Sequence, residues 1–196
     1  MKPSYKFYRC CYRLARAAIG IFYRFRFIGK ENIPEGATLV CANHSSMVDP
    51  FLIVFAFGIG CQMHIIAKDE LFRIPIISPI LRKLGMISVN RGVLDANSVK
   101  ATFAYLKGDE KVVVFPEGTR VSEDENVSAK AGAVKISERT GAPILPIYIP
   151  RKKPLFSRVT VTIGQPYHIE KQPRKRSAND YTLLSEDLMN RINSLN

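Results

Sequence analysis

The chain has 196 residues, enough for one domain of ordinary size with its own apolar core. Its hydrophobic content of 46% and charged content of 23% exclude a chain that is disordered along most of its length. The 29 Lys and Arg exceed the 17 Asp and Glu and give a net charge of +12. Such an excess indicates a polyanionic partner, which is nucleic acid, an anionic membrane or a phosphorylated substrate.

The cysteines and the first residues of the chain indicate the cellular compartment in which the protein is expected. The four cysteines form no pair of CxxC motifs and have no metal-ligand spacing with the three histidines, so we predict no metal site. We interpret them as reduced thiols of a protein that faces the cytosol. No signal peptide is predicted, because Arg9, Arg13 and Arg16 interrupt every apolar run that could form its hydrophobic region.

The first predicted element is an amphipathic helix over residues 2–24. Its Lys and Arg side chains fall within an arc of about 80°, and aromatic and aliphatic side chains cover the rest of the circumference. This pattern predicts a helix that lies in a membrane interface. The alternative is a helix packed on the domain with a solvated basic edge. We therefore divide the chain into a membrane-associating helix, residues 1–30, and a main domain, residues 31–196.

Strands and helices alternate along the rest of the chain. This alternation predicts a single α/β domain with a mixed, mostly parallel central sheet flanked by helices. Residues 50–67 are long enough to consider as a membrane span, but Gly58, Gly60 and His64 interrupt them and favour a buried helix followed by a strand. Strands are predicted at 37–42, 62–67, 86–89, 111–115, 144–149 and 158–163, the last as an edge strand, with helices at 95–107, 129–140 and the C-terminus.

His44 follows a buried strand at the start of a predicted helix, where α/β scaffolds present side chains in a cleft. Ser45 or Ser46 can cap this helix, which places Asp49 in its first turn and lets His44 fold back toward the carboxylate. A carboxylate on one imidazole nitrogen leaves the other nitrogen to accept a proton. The pair therefore predicts a general base, although the same spacing also fits an ordinary structural turn.

A second cluster, FPEGTR, follows the most hydrophobic predicted strand. Pro116 ends the strand, Gly118 permits a close backbone approach, and Arg120 offers a planar fork that matches phosphate. We interpret the cluster as an anion pocket. The alternative is a tight turn with a surface salt bridge.

Two further cations follow other predicted strands. Arg91 comes after the third strand and Lys68 after the second. Because the ends of strands in an α/β sheet share an edge, these cations are expected to converge on the same pocket.

Taken together, these residues resemble the glycerolipid acyltransferase family, and within it the bacterial 1-acyl-sn-glycerol-3-phosphate acyltransferases. The resemblance covers residues 44–149, and the order of its blocks is its specific part. The chain departs from the family pattern at Asn90, where relatives often carry Asp, and at Val121, where Ser is usual. The blocks are NHSSMVD at 43–49, GMISVNR at 85–91, FPEGTR at 115–120 and APILPI at 142–147.

The resemblance implies that His44 removes the proton from the sn-2 hydroxyl of lysophosphatidic acid, which then attacks the thioester of acyl-CoA or acyl carrier protein. Asp49 would orient His44. No metal or redox cofactor is implied. The acceptor's phosphate and pocket are assigned to Lys68, Arg91, Glu117, Gly118, Thr119 and Arg120.

The expected partners are an anionic membrane surface, lysophosphatidic acid and the acyl donor, at the cytoplasmic face of the cell membrane. Nucleic acid is not expected, because basic and aromatic residues concentrate on one amphipathic helix and not on a sheet or groove. Three alternatives remain open. They are a covalent mechanism with Ser45 or Ser46 as nucleophile, a different acceptor such as glycerol 3-phosphate or another lysophospholipid, and a non-enzymatic basic module that binds membranes.

Overall fold

A computed structural model of the chain describes residues 4–90, 96–122, 127–174 and 176–196. These residues form a seven-stranded sheet in the order β1-β7-β6-β2-β5-β3-β4. The strands are β1 Arg24–Ile28, β2 Thr38–Ala42, β3 Met63–Lys68, β4 Ile87–Val89, β5 Lys111–Val114, β6 Ile144–Tyr148 and β7 Arg158–Ile163. The helices are α1 Tyr5–Gly20, α2 Asp49–Phe57, α3 Ile77–Lys83, α4 Ala96–Lys107, α5 Gly132–Thr140 and α6 Ala178–Asn193, with short 3-10 helices at Lys30–Asn32 and Asp69–Arg73.

All neighbouring strands described are parallel except β6 and β7, so the prediction of a mixed, mostly parallel α/β sheet is confirmed. The carboxyl ends of β2, β3, β4, β5 and β6 therefore lie on one side, which we call the carboxyl edge. In the register of the central strands, Cys41 pairs with Val114 and Ala42 pairs with Ile147. The residues that follow β2 thus emerge between the ends of β5 and β6.

Two apolar layers cover the sheet, which explains why its central strands are continuous hydrophobic runs. Alternate residues of β2 point to opposite layers. Val40 and Ala42 pack in the layer that contains α2, whereas Leu39 and Cys41 pack in the layer that contains α4, α5 and α6. The apolar segment 50–67 forms α2 and most of β3, as the alternative to a membrane span predicted. Among the described residues no helix combines the length and apolar character needed to cross a membrane.

The predicted boundaries of the first helix were wrong. The helix ends at Gly20, and Arg24–Ile28 forms β1, which pairs in parallel with β7. The sequence RFRFI alternates with the period of a strand, so Phe25 and Phe27 pack against the core while the arginines are exposed. The prediction of β7 as an edge strand was also wrong, because β1 covers its outer side.

Helix α1 packs on the domain, as the alternative to an interfacial helix predicted. The Tyr8 side chain is buried, and its hydroxyl donates to the Cys61 carbonyl at 2.6 Å. The guanidinium of Arg16 does not lie on the solvated basic face, since it sits over the rings of Phe25 and Phe55 at 5.0 and 5.2 Å. The outward face of α1 still carries exposed cations at Lys6, Arg9 and Arg13.

Candidate active site

The loop after β2 begins with a clamp that ties it to β6. Asn43 is fully buried, and its side-chain amide donates to the Ile149 carbonyl at 2.7 Å while its oxygen accepts from the Ile149 N–H at 2.8 Å. The carbonyl of His44 then accepts from the Val121 N–H at 2.8 Å. The backbone of His44 is therefore held by segments that follow both neighbouring strands.

The predicted pairing of His44 with Asp49 is present. Nδ1 of His44 lies 2.9 Å from Oδ2 of Asp49, which is the first residue of α2 and fully buried. The same carboxylate oxygen accepts from the backbone N–H groups of Ser45 and Ser46, each at 2.7 Å. One carboxylate thus fixes the ring and the loop together.

The role predicted for the two serines as helix caps was wrong. Helix α2 has Val48 at its N-cap position, and no side chain there makes a capping hydrogen bond. The Asp49 carboxylate accepts the N–H groups of the loop instead, so residues 44–49 form a turn held together by hydrogen bonds to this one side chain. A negative charge at the first turn of a helix also suits the helix dipole.

A third charged group completes this cluster. Nζ of Lys153 lies 2.9 Å from Oδ1 of Asp49 and donates to Oγ of Ser45 at 2.8 Å. The Lys153 side chain is only 4% exposed. Burial alone would raise the pKa of Asp49, but hydrogen bonding with His44, the Lys153 ammonium and the two serine N–H groups hold that pKa below its usual value. Asp49 is therefore a carboxylate at neutral pH.

Stacking and the contact with Asp49 fix the orientation of the His44 ring. It stacks on Phe115 with a centroid separation of 4.1 Å, and the residue is 8% exposed. With Nδ1 engaged by Asp49, Nε2 is the nitrogen that makes no hydrogen bond to the described residues. Ser45 does not bond to this ring, because its hydroxyl donates to the Arg151 carbonyl at 3.1 Å and accepts from Lys153. The geometry thus suits a general base more than a serine nucleophile.

Glu117 occupies a position that sequence reasoning did not foresee. Its carboxylate is buried behind the His44 backbone, where Oε2 accepts from the His44 N–H at 2.6 Å. Its Oε1 is paired with Nη2 of Arg151, whose Nη1 donates to the Val121 carbonyl at 3.0 Å. Both oxygens are thus engaged by the protein, and the residue holds His44 in place.

The rest of the predicted anion pocket lies nearer to solvent. Gly118 has φ of +69°, and a Cβ there would come within 2.8 Å of the Lys130 side chain, so the turn requires glycine. Thr119 and Arg120 are exposed. No carboxylate among the described residues lies within salt-bridge distance of Arg120.

Lys68 lies at the carboxyl edge, as predicted. Ile65 pairs with Val113 in the parallel strands β3 and β5. Lys68, three residues further on, therefore lies opposite Pro116, where the turn after β5 begins. Its ammonium is paired with Glu70 at 2.7 Å, and this hydrogen bond lowers the pKa of Glu70. Binding a phosphate would require Lys68 to exchange this partner. Arg91 lies outside the described residues.

Sequence reasoning missed Arg151 and Lys153, which contact Glu117 and Asp49. The signal was present, because the sequence PRKKP directly follows the predicted strand β6, and strand ends in such a sheet meet at one edge. What it lacked was any indication that two of these cations turn inward. Among the described residues, no group of three or more His, Cys, Asp and Glu side chains is arranged to hold a metal ion.

Comparisons with known proteins identify the family of the chain. The sequence model of the family described as Acyltransferase matches residues 24–150. The 1-acyl-sn-glycerol-3-phosphate acyltransferase of Bacillus subtilis is 32% identical over 96% of this chain and 96% of that protein. The protein of the same name from Borreliella burgdorferi is 32% identical over 74% of this chain, which is 57% of that protein's length.

A solved structure is similar over nearly the whole chain. The crystal structure of the 1-acyl-sn-glycerophosphate acyltransferase from Thermotoga maritima has a TM-score of 0.72 and 26% sequence identity, and the match covers 96% of this chain and 78% of that one. The family predicted from the motif order is therefore confirmed. This chain belongs to the acyltransferase family, together with bacterial proteins named 1-acyl-sn-glycerol-3-phosphate acyltransferase.

Proposed function

We propose that this chain transfers a fatty acyl group from acyl-CoA or acyl carrier protein to the sn-2 hydroxyl of 1-acyl-sn-glycerol 3-phosphate, forming phosphatidic acid for phospholipid synthesis. The observation that carries the proposal is the buried pair of His44 and Asp49 at the carboxyl edge. The turn that bears Arg120 follows β5, the strand that pairs with β2, and so lies at the same edge. The similarity to relatives bearing that enzyme name supports the choice of acceptor.

The reaction begins with proton transfer to His44. Nε2 accepts the proton of the sn-2 hydroxyl as its oxygen attacks the thioester carbonyl, while Asp49 stabilises the imidazolium that forms. The tetrahedral intermediate collapses, the C–S bond breaks, and the departing thiolate takes the proton from His44. A positioned general base contributes about 10²–10⁴-fold to the rate, so binding and orientation must contribute the remainder.

The acceptor's phosphate provides part of that binding. Arg120 has the planar fork that matches phosphate, and the Gly118 turn and Thr119 present polar backbone and hydroxyl groups beside it. Lys68 and Arg91 remain proposed as further phosphate ligands. Glu117, in contrast, acts on the reaction through the His44 backbone and not through the substrate.

The proposed chemistry requires no metal or redox cofactor, because a thioester is already an activated acyl donor. An apolar cavity opens between α1, α2 and the β3–β4 region, and its lining includes Pro50 and Phe51, which directly follow Asp49. Such a cavity suits a fatty acyl chain. We further propose that the protein is peripheral or monotopic at the cytoplasmic face of the cell membrane, where its lipid acceptor resides.

Acyl transfer to 1-acyl-sn-glycerol 3-phosphate, measured with matched acyl-CoA and acyl carrier protein donors, tests the proposal. We expect transfer by the natural chain and a loss of about 10²-fold or more in His44→Ala. His168→Ala is the matched control, because His168 is exposed and distant in sequence from the four blocks. Full activity of His44→Ala would overturn the mechanism.

Acceptor identity is tested in the same assay. Glycerol 3-phosphate retains the phosphate but lacks the acyl chain, whereas a lysophosphatidylcholine retains the chain but carries a modified phosphate. Faster transfer to either than to 1-acyl-sn-glycerol 3-phosphate would replace the proposed acceptor. Vesicle binding without transfer to any acceptor would favour a non-enzymatic membrane module.

A further inference from the structure

Four large apolar side chains project together into solvent at one corner of the molecule. Ile21 and Phe22 lie in the turn between α1 and β1, and Leu155 and Phe156 lie in the hairpin between β6 and β7. Their exposed fractions are 69%, 44%, 62% and 71%. The rings of Phe22 and Phe156 are 6.1 Å apart, and the Phe156 N–H donates to the Phe22 carbonyl at 2.6 Å. We call these four residues the apolar tip.

The backbone at Phe156 is in a conformation that disfavours its side chain. Residues 154–157 form a turn closed by a hydrogen bond from the Ser157 N–H to the Pro154 carbonyl at 3.2 Å, and Phe156 has φ of +63°. Glycine or asparagine is favoured at such a position, and a bulky residue there is strained. The side chain does not recover this cost by burial, since it is the most exposed of the four. Folding stability alone therefore does not account for a phenylalanine at this position.

The net charge of the protein is concentrated in the two segments that carry the apolar tip. Residues 1–30 contain eight Lys and Arg and residues 140–169 contain four, with no Asp or Glu in either segment. These twelve cations equal the chain's net charge of +12, so acids and bases balance elsewhere. The two segments are adjacent because β1 pairs with β7, with Arg24 opposite Arg158. Both arginines are exposed, as is Arg26.

The apolar tip also lies on the side of the molecule that carries the candidate active site. Tyr148 at the end of β6 pairs with Thr162, so Arg158 and the hairpin before it extend beyond the carboxyl edge. The same hairpin supplies Lys153, whose carbonyl accepts from the Tyr23 hydroxyl at 3.4 Å and whose ammonium contacts Asp49. A surface that contacts the apolar tip would thus lie beside the opening to His44.

We propose that the apolar tip inserts into the interface of an anionic bilayer, with Arg24, Arg26 and Arg158 contacting the lipid headgroups. Apolar side chains ringed by cations are the combination that binds such an interface. This inference rests on the proposed function, because a lipid acceptor is met at a bilayer, and it assigns the contact to a surface other than the apolar face of α1. The domain already covers part of that face, through the contacts of Tyr8 with Cys61 and of Tyr12 with Phe55.

Binding to vesicles tests the assignment. The natural chain and the double variant Leu155→Ser with Phe156→Ser are sedimented with vesicles of phosphatidylglycerol and phosphatidylcholine, and with vesicles of phosphatidylcholine alone. We expect the double variant to lose about tenfold or more of its partition coefficient on the anionic vesicles. Leu183→Ser is the matched control, because Leu183 is 56% exposed on α6, and it should bind as the natural chain does. Equal binding by the double variant and the natural chain would overturn the proposal.

Phe156→Gly separates membrane contact from folding. Glycine accepts the positive φ, so thermal stability should be unchanged or higher while vesicle binding falls. A loss of stability in this variant, with binding retained, would assign Phe156 to packing. A concentration-dependent dimer in sedimentation velocity that the double variant abolishes would instead assign the apolar tip to a second copy of the chain.

Activity distinguishes this inference from the proposed function. The apolar tip variants should retain acyl transfer to substrates dispersed in detergent and lose it on vesicles, whereas His44→Ala should bind vesicles normally without transferring acyl groups. If the natural chain transfers no acyl group but its vesicle binding still depends on Leu155 and Phe156, the proposed function fails and the membrane contact stands.

Discussion

The two halves of the candidate site differ in burial and in how fully their polar groups are bonded. The base half, formed by His44, Asp49, Glu117 and Lys153, is largely enclosed, and each charge has a partner within the protein. The anion half, represented by Arg120, is exposed. A base must be oriented before the substrate binds, whereas a cation that binds phosphate can stay in contact with solvent until the substrate supplies the counter-charge. Changes in the base half should therefore affect kcat and stability together, and changes in the anion half should affect KM alone.

Asp49→Asn should have the largest effect. An amide cannot replace a carboxylate that bonds His44 and two N–H groups, and it leaves the buried Lys153 ammonium without a counter-charge. We expect kcat to fall about 10²–10⁴-fold and the melting temperature to drop. Steady-state kinetics and thermal unfolding measure both quantities. Asp187→Asn, an exposed acid in a helical ion pair, is the control, and a kcat for Asp49→Asn near that of the control would contradict the assignment.

Glu117→Gln distinguishes a positioning residue from a substrate ligand. Because the carboxylate binds the His44 N–H and Arg151, its loss should lower kcat about tenfold and reduce the free energy of unfolding by about 3 kcal/mol, with KM for the acceptor unchanged. Glu138→Gln breaks a comparable ion pair with Arg176 away from the carboxyl edge and should lose stability without losing kcat. A raised KM with full stability would instead make Glu117 a ligand of the acceptor.

Arg120→Gln should show the opposite pattern. Loss of one charge-assisted contact to phosphate predicts a rise of about tenfold in KM for the acceptor, with kcat and stability nearly unchanged because the side chain is exposed. Lys68→Gln should raise KM less, since Glu70 already engages its ammonium. Arg139→Gln, an exposed arginine of α5, controls for the loss of net charge. Unfolding of Arg120→Gln at lower temperature would indicate that Arg120 belongs to the structural half.

The smallest effect concerns the pH dependence of stability. The pKa of Asp49 in the folded protein lies below its usual value of about 3.9, so ionisation of Asp49 stabilises the fold above that pH. This stabilisation is lost as pH falls through the folded-state pKa. The difference in unfolding free energy between the natural chain and Asp49→Asn should therefore be largest at neutral pH and shrink toward pH 3. A difference that stays constant with pH would show that the charge of Asp49 does not contribute.

Motif order was sufficient to predict the family, the parallel sheet and the pairing of His44 with Asp49. These features depend on residues close in sequence or on strand ends that every such sheet brings to one edge. The role of Glu117 could not be predicted in the same way, because its partners, the His44 backbone and Arg151, are far from it in sequence. Contacts between residues so distant in sequence depend on the register of β2, β5 and β6.

Residues 2–24 illustrate the same limit in the N-terminal segment. Their amphipathic pattern indicated a helix but could not specify whether lipid or protein covers its apolar face, since both are apolar environments. In the structure, Tyr8 and Tyr12 of that face pack on the domain, Leu14 stays exposed, and Arg24–Ile28 forms a strand. The alternation of RFRFI is typical of a strand. Its partner β7 lies more than a hundred residues further along the chain, so the pairing could not be predicted from the local pattern.

The amino-acid order of this protein specifies its local elements, its family and the pairing of His44 with Asp49, because each depends on short-range spacing and on a sheet topology common to α/β domains. The tertiary structure decides which cations turn inward to bind Asp49 and Glu117 and which remain exposed. It also places the apolar tip beside the carboxyl edge. Those outcomes depend on side chains from strands distant in sequence meeting in a low-dielectric interior, where an unpaired charge is costly and a paired one persists.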